Sequence, residues 1–161
     1  IIFFLLTFPD KYILALIMFL FASISDFLDG YLARKYDQTS IIGEILDPIA
    51  DKILVCFVLF GLSVNLSSYI IGFAGAIIIS REIWVAALRD YNSRNNNTEA
   101  TKVTFLAKIK TTTQLFAILI YLIALSLNNM LMIVIGDVTL ISSIIITLYT
   151  GYQYSYHSLK K

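Results

Sequence analysis

Five long hydrophobic segments constrain this chain more than any other feature of its sequence. They cover residues 12–36, 40–62, 69–91, 103–127 and 131–152. Each is long enough to cross a bilayer as an α-helix, which takes about 20 residues. Because no ten-residue pattern of alternating polarity recurs, membrane-spanning strands are not expected. The sequence therefore predicts an all-α, polytopic membrane protein.

The first residues, IIFFLLTF at 1–8, are apolar but too short to span a membrane. We expect them to end a first helix that is truncated here, which gives six transmembrane helices in one domain over residues 1–161. The composition agrees, since 58% of the residues are hydrophobic and 14% are charged, against about 45–50% and about 25% in typical soluble domains. The net charge of +1 gives no basic surface for a nucleic acid.

The connections between segments predict the orientation in the membrane. Short intervals at 8–11, 65–68 and 127–129 are expected to be tight turns on one side, and only Lys11 lies there. Nearly all other Lys and Arg residues lie at or near the opposite ends, which the positive-inside rule places in the cytoplasm. On that side the Asn-rich interval 92–101 is predicted to be a flexible loop.

An acid-rich stretch interrupts the apolar sequence on the cytoplasmic side. Residues 25–52 read SDFLDGYLARKYDQTSIIGEILDPIADK. Asp26 and Asp29 are three residues apart and share a helix face, and Asp47 and Asp51 are four apart on the next helix. A short loop near 37–39 would make these two helices antiparallel neighbours. We therefore expect the carboxylates to meet just below the cytoplasmic surface.

Such a group of carboxylates would be costly without cations. One acid at the centre of a span costs about 2.5–3.5 kcal/mol, and converging like charges add repulsion. A set of carboxylate oxygens suits Mg²⁺, Mn²⁺ or Ca²⁺ rather than zinc or copper. Two such ions are a common arrangement in phosphoryl chemistry. The alternative, that each Asp only caps a helix or pairs on the surface, explains this spacing less well.

A spaced motif in this stretch resembles the signature of the CDP-alcohol phosphotransferases, six-helix membrane enzymes of phospholipid synthesis: Asp26-x2-Asp29-Gly30-x2-Ala33-Arg34-x8-Gly43-x3-Asp47-x3-Asp51. The resemblance implies that two Mg²⁺ or Mn²⁺ ions are held by the aspartates of the motif, with Asp51 also the general base. It implies a homodimer in the bacterial cytoplasmic membrane, with the active site facing the cytoplasm. It also implies that the CDP group is contacted by Asp29, Gly30, Ala33, Arg34 and Gly43.

Further basic residues indicate an acceptor that carries its own phosphate. Arg81 lies in apolar sequence and needs an anion as its partner. Glu82 follows it directly but is expected to point elsewhere on the helix, so a substrate phosphate is the better partner. Glycerol 3-phosphate carries such a phosphate, whereas serine, choline and ethanolamine do not. We therefore predict an acceptor-phosphate site formed by Arg81, Arg89, Lys108 and Lys110.

Residues 39–52, 80–89 and 108–114 also resemble the bacterial branch of this family that makes phosphatidylglycerophosphate. The resulting hypothesis is a transfer of the phosphatidyl group from CDP-diacylglycerol to glycerol 3-phosphate, releasing CMP, by an enzyme surrounded by membrane lipids. One alternative keeps this chemistry but uses inositol, inositol phosphate, serine or phosphatidylglycerol as the acceptor. A second alternative is a divalent-cation transporter, because acids within a membrane often mark ion paths. Residues 13–21 and 55–62 offer little polar continuation of such a path.

Overall fold

The structure of the chain is a computed structural model that describes residues 1–36, 41–94 and 105–159. Within these ranges it gives the side chains of all residues except Phe27, Ala33, Arg34, residues 41–48, Phe105, Ala107, Lys108 and Leu159.

All regular structure in these ranges is helical. A short helix α1 (Ile2–Leu5) and a 3-10 turn (Pro9–Lys11) precede α2 (Tyr12–Lys35), α3 (Ile41–Asn65), α4 (Tyr69–Arg94), α5 (Phe105–Leu127) and α6 (Met130–Leu159). The five long helices coincide with the five hydrophobic segments of the sequence. The all-α prediction is therefore confirmed.

Four helical spans within the described residues are long and apolar enough to cross a membrane. They are Pro9–Leu32, Tyr69–Arg94, Ile109–Leu127 and Met130–Ser158. Large apolar side chains such as Phe21 and Phe73 are exposed on the outside of these helices, where lipid rather than water would cover them. The chain is therefore an all-helical membrane protein. The span of α3 stays a prediction, because the side chains of residues 41–48 lie outside the described set.

The centre of the bundle is α5, which packs on α6, α2 and α3, while α4 packs on α3 and α6. Where α5 meets α6, the fully buried ring of Tyr121 lies against Gly136. A Cβ at position 136 would lie 2.9 Å from Tyr121 Cε1, closer than side chains approach. The absence of a side chain at Gly136 therefore lets the two helices come together around the tyrosine.

Two of the predicted tight turns are confirmed. Ser67, between α3 and α4, has φ 47°, and Asn128, between α5 and α6, has φ 50°. Both turns are closed by backbone hydrogen bonds to the preceding helix. At the start of α6, Asn129 Oδ1 accepts a hydrogen bond of 3.0 Å from the Leu131 backbone N–H, which satisfies a free donor of the helix.

The prediction of a flexible loop from residue 92 is wrong for its first residues. Helix α4 continues to Arg94, and Asn92 is only 2% exposed. Its Nδ2 donates hydrogen bonds of 2.8 Å to Leu88 O and of 2.7 Å to Ser158 Oγ on α6. The packing of α4 against the end of α6 therefore extends both helices beyond their apolar segments. Residues 95–101 of the predicted loop lie outside the described residues.

Candidate active site

The acidic side chains of the sequence motif lie toward the joined ends of α2 and α3. Asp26 and Asp29 are in the C-terminal half of α2, Asp51 is in the N-terminal half of α3, and all three side chains are exposed. The side chain of Asp47 is outside the described set. Among the side chains that the structure does describe, no three His, Cys, Asp or Glu residues lie close enough to hold a metal ion. The complete metal site therefore stays a prediction.

The predicted CDP contacts are placed only in part. Gly30 is half-buried on α2, one residue after Asp29. Gly43 lies in the first turn of α3. The side chains of Ala33 and Arg34, near the end of α2, lie outside the described set. The contacts of these residues with a nucleotide stay a prediction.

A second group of residues, this one basic, surrounds Glu82 between α3, α4 and α5, and its contacts are among the described side chains. Arg81 Nη1 donates a 2.9 Å hydrogen bond to Glu82 Oε1, and Lys110 Nζ on α5 donates to the same oxygen. Lys52 Nζ on α3 lies 3.9 Å from Glu82 Oε2. The expectation that Glu82 points away from Arg81 is therefore wrong. The carboxylate lies between the two buried cations, whose charges favour an anion beside them.

Helix α6 holds the Arg81 side chain in place. Arg81 Nε donates a 3.1 Å hydrogen bond to Thr147 O, and Nη2 donates a 2.7 Å hydrogen bond to Thr150 Oγ1. Gly151 leaves room for the arginine, since a Cβ there would lie 3.1 Å from Arg81 Cγ. Thr147 is itself fixed, because its Oγ1 accepts a 3.0 Å hydrogen bond from Gln114 Nε2 on α5. The guanidinium therefore has a defined position that does not depend on Glu82 alone.

Arg89 lies two turns further along α4 and converges with Arg81 on one residue of α6. The Arg89 guanidinium lies 5.0 Å from the ring centre of Tyr154, and that of Arg81 lies 5.9 Å from it. Arg89 Nη2 also donates a 2.9 Å hydrogen bond to Tyr154 Oη. The two arginines therefore lie on the same face of α4, toward α6. Arg89 Nε is buried and has no hydrogen-bond partner among the described residues.

The two predicted lysines have different outcomes. Lys110 is buried on α5 and joins the cluster through Glu82. The side chain of Lys108 lies outside the described set, so its place in the cluster stays a prediction. The binding of a phosphate by these residues is likewise a prediction.

An apolar groove of about 540 Å³ runs between α4 and α6 beside the cluster. Arg81 lines one part of it, and mostly apolar side chains, both aliphatic and aromatic, line the rest, with Trp84 and Tyr152 among them. Trp84 Nε1 donates a 2.8 Å hydrogen bond to Ser155 Oγ across the two helices. The lining is therefore mostly apolar, with the cation of Arg81 at its border.

Sequence reasoning missed the uncharged members of the cluster. Thr147 and Thr150 are three residues apart in an otherwise apolar part of α6 and are fully buried. That spacing, one helical turn of hydroxyls in a membrane span, is the signal that could have identified them as partners of a buried cation. Lys52, which contacts Glu82 from α3, is also absent from the predicted acceptor site.

Fold and site together define a polytopic, all-helical membrane protein with a buried cationic cluster beside an acid-rich pair of helices. A model of the CDP-alcohol phosphatidyltransferase family matches residues 1–149, and the chain belongs to this family. It is therefore a transferase enzyme, and the family is generally dependent on divalent metal ions.

The chain is similar to curated proteins named CDP-diacylglycerol–glycerol-3-phosphate 3-phosphatidyltransferase, and three of these proteins align over most of their length. The protein from Blochmanniella floridana is 35% identical over 143 residues, which cover 89% of this chain and 74% of that protein. The one from Rickettsia bellii is 35% identical over 148 residues, covering 91% and 79%. The one from Wigglesworthia glossinidia brevipalpis is 33% identical over 156 residues, covering 97% and 84%.

Proposed function

We propose that this enzyme transfers the phosphatidyl group of CDP-diacylglycerol to glycerol 3-phosphate, which gives phosphatidylglycerophosphate and CMP. The names of its relatives contain both substrates. The observation in this chain that carries the proposal is the cluster in which Arg81 and Lys110, both buried, share the carboxylate of Glu82.

The charge of that cluster favours a phosphorylated acceptor. The side chains of Arg81 and Lys110 are 7% and 6% exposed, so water screens their charges poorly. One carboxylate cannot neutralise both cations, and Lys52 adds a third positive charge at its edge. A phosphate monoester supplies nearly two negative charges and several acceptor oxygens. An uncharged acceptor such as inositol supplies hydroxyl oxygens but no negative charge.

The remaining residues proposed for the acceptor extend this cluster along α4 and α5. The buried Nε of Arg89, which has no partner among the described residues, is a donor that an anion could satisfy. Lys108, one half-turn before Lys110, would add a further positive charge. From the bias of Lys and Arg, we expect the cluster to be open to the cytoplasmic side of the membrane. A soluble phosphorylated substrate could reach it there.

Divalent cations fit the chemistry of the acidic residues. Asp26, Asp29 and Asp51 present exposed carboxylates on the connected ends of α2 and α3, and carboxylate oxygens are the donors that Mg²⁺ and Mn²⁺ prefer. With Asp47, these residues would hold two ions. Bound there, the ions would offset the negative charge of the lipid-linked pyrophosphate.

The proposed reaction is a direct displacement at phosphorus. The hydroxyl of glycerol 3-phosphate attacks the lipid-bearing phosphorus while Asp51 accepts its proton, and CMP departs with the electrons of the broken P–O bond. Asp29, Gly30, Ala33, Arg34 and Gly43 would bind the CDP group. Gly30 supports this role because it lacks a side chain and allows close approach to the α2 backbone. The groove between α4 and α6 would receive an acyl chain of the lipid.

We further propose that residues 1–161 form one catalytic domain in the bacterial cytoplasmic membrane, with its active site facing the cytoplasm. The bias of Lys and Arg toward that side supports this orientation. A homodimer, implied by the family resemblance, is also proposed. Light scattering of the purified protein in detergent, corrected for bound detergent, would distinguish a dimer from a monomer.

An acceptor screen tests the function. The purified protein in lipid nanodiscs is given CDP-diacylglycerol and, in separate reactions, glycerol 3-phosphate, inositol, inositol phosphate, serine or phosphatidylglycerol. Lipid products are identified by mass spectrometry, with and without EDTA. We expect phosphatidylglycerophosphate from the first reaction, and its loss with EDTA. Product from inositol or serine but not from glycerol 3-phosphate would overturn the proposed acceptor.

A further inference from the structure

Glu82 is an acidic residue within the cluster that is proposed to bind the acceptor phosphate. Its side chain is 15% exposed and lies among cations from three helices, Lys52 on α3, Arg81 on α4 and Lys110 on α5. Its Oε1 accepts hydrogen bonds from both Arg81 and Lys110. These are the donors that the proposed function assigns to the acceptor phosphate. The carboxylate therefore stands where a phosphate oxygen would bind.

The two buried cations have supports other than Glu82. Arg81 is held by its hydrogen bonds to Thr147 O and Thr150 Oγ1 on α6. The Lys110 side chain is packed inside the bundle, with 6% of its surface exposed. A neutral side chain of the same shape at position 82 would still offer Lys110 an oxygen. What Glu82 alone supplies is its negative charge.

We propose that Glu82 is an internal counterion that the phosphate of the acceptor replaces. This inference rests on the proposed function and adds a residue that sets specificity. In the ligand-free protein Glu82 neutralises part of the buried positive charge, which lowers the cost of keeping two cations in the membrane domain. When a dianionic phosphate arrives, Arg81 and Lys110 exchange the carboxylate for phosphate oxygens. Lys52, 3.9 Å from Oε2, is a cation toward which the displaced carboxylate can turn.

This exchange makes the site selective by charge. A ligand must displace a carboxylate to bind, so weakly charged anions and neutral alcohols gain little. A dianion gains more than the carboxylate loses, because its charge is larger and it carries more acceptor oxygens. Competition from Glu82 also lowers the affinity for the product, because phosphatidylglycerophosphate keeps the phosphate monoester of glycerol 3-phosphate. The cost of this selectivity is a lower affinity for phosphate than the cations alone would give.

Inhibition of the transfer reaction by inorganic phosphate tests the inference. The inhibition constant is measured for the wild type, for Glu82→Gln and for Asp90→Asn, a matched removal of a carboxylate that pairs with exposed Arg94 on the same helix. We expect Glu82→Gln to lower the constant by about tenfold, since one negative charge is removed from beside the phosphate. Asp90→Asn and the charge-conserving Glu82→Asp should stay within about twofold of the wild type. An unchanged or higher constant for Glu82→Gln would overturn the inference.

Two further measurements separate the possible failures. If Glu82→Gln does not fold, judged by thermal unfolding in detergent, Glu82→Ala removes the same charge and carries the same expectation. If the wild type makes phosphatidylglycerophosphate but Glu82→Gln gains no phosphate affinity, the inference fails and the proposed function stands. If the wild type uses no phosphorylated acceptor, the proposed function fails. Calorimetric titration of inorganic phosphate into the wild type and Glu82→Gln then still decides whether Glu82 competes with an anion.

Discussion

Arg81 on α4 and Thr150 on α6 are joined by a 2.7 Å hydrogen bond from Nη2 to Oγ1 in the interior of the helix bundle. The bond fixes the position of the Arg81 guanidinium, which would otherwise move with its long, flexible side chain. Because α6 supplies this support, the proposed acceptor site would depend on a helix that carries none of the charged residues of the family motif.

Replacement of Arg81 should weaken acceptor binding. Arg81→Ala removes a charge-assisted contact worth about 1.5–3 kcal/mol, so we expect the KM for glycerol 3-phosphate to rise by about ten- to a hundredfold. The KM for CDP-diacylglycerol should change little. Steady-state kinetics with each substrate varied in turn gives both values. Arg94→Ala, which removes an exposed arginine paired with Asp90 on the same helix, is the control and should leave both constants unchanged. A wild-type KM for the acceptor in Arg81→Ala would remove Arg81 from the acceptor site.

Addition of one methyl group at Gly151 should disturb the same cation. A Cβ at position 151 would lie 3.1 Å from Arg81 Cγ and 3.4 Å from its Nε, and the arginine is held too firmly by α6 to move aside freely. We expect Gly151→Ala to raise the KM for glycerol 3-phosphate several-fold. Gly75→Ala is the matched control, since its Cβ would make only an ordinary 3.6 Å contact with Leu59 Cβ. Equal kinetics in the two variants would show that the position of Arg81 is not limited by Gly151.

Loss of the Tyr121 hydroxyl should reduce stability without affecting the site. Tyr121 Oη donates a 2.6 Å hydrogen bond to Asp137 Oδ1, which joins α5 and α6 near the end opposite the basic cluster. Such bonds in membrane proteins contribute about 0.5–2 kcal/mol, so Tyr121→Phe should lower the unfolding midpoint by a few degrees. Thermal unfolding in detergent measures this. Tyr69→Phe, at a residue 93% exposed, is the control and should unfold as the wild type does. A wild-type midpoint for Tyr121→Phe would mean that Asp137 finds an equal partner elsewhere.

Neutralisation of Asp51 should abolish turnover. Asp51→Asn removes the proposed base and one proposed metal ligand, and we expect kcat to fall by at least about 10³-fold. Binding of CDP-diacylglycerol, measured by calorimetry, should be weakened but retained. Asp10→Asn, in the 3-10 turn at the other side of the membrane, should have full activity. Turnover of Asp51→Asn at a rate near that of the wild type would exclude Asp51 as the base.

The helices could be predicted from the sequence because lipid demands long apolar runs. The start of α2 at Tyr12 and of α4 at Tyr69 agree with the hydrophobic segments to the residue. The C-terminal end of α6 could not be predicted in this way. Residues beyond 152 are polar enough to resemble a tail, yet Tyr154 and Ser158 are buried against α4. Packing between helices, which leaves no simple pattern in hydropathy, extends the helix there.

The candidate site was only partly predictable for a similar reason. Basic residues in or beside apolar segments indicate a buried anion or an anionic ligand, and Arg81 and Lys110 could be predicted as site residues for this reason. The direction of Glu82 was not predictable, because adjacent residues on a helix normally diverge and only the arrival of Lys110 from α5 creates the shared contact. Thr147 and Thr150 could not be predicted as partners of Arg81, because a threonine hydroxyl in a helix can donate its hydrogen bond to a backbone carbonyl of the preceding turn. The predictions for Asp47, Arg34 and Lys108 concern side chains outside the described set.

A single competition reaction tests most directly whether the enzyme requires a phosphorylated acceptor. The purified protein receives CDP-diacylglycerol with equal concentrations of glycerol 3-phosphate and glycerol, and the lipid products are identified by mass spectrometry. We expect phosphatidylglycerophosphate to form, no phosphatidylglycerol to form directly, and EDTA to stop the reaction. Direct formation of phosphatidylglycerol from glycerol, or failure to use glycerol 3-phosphate, would contradict this expectation.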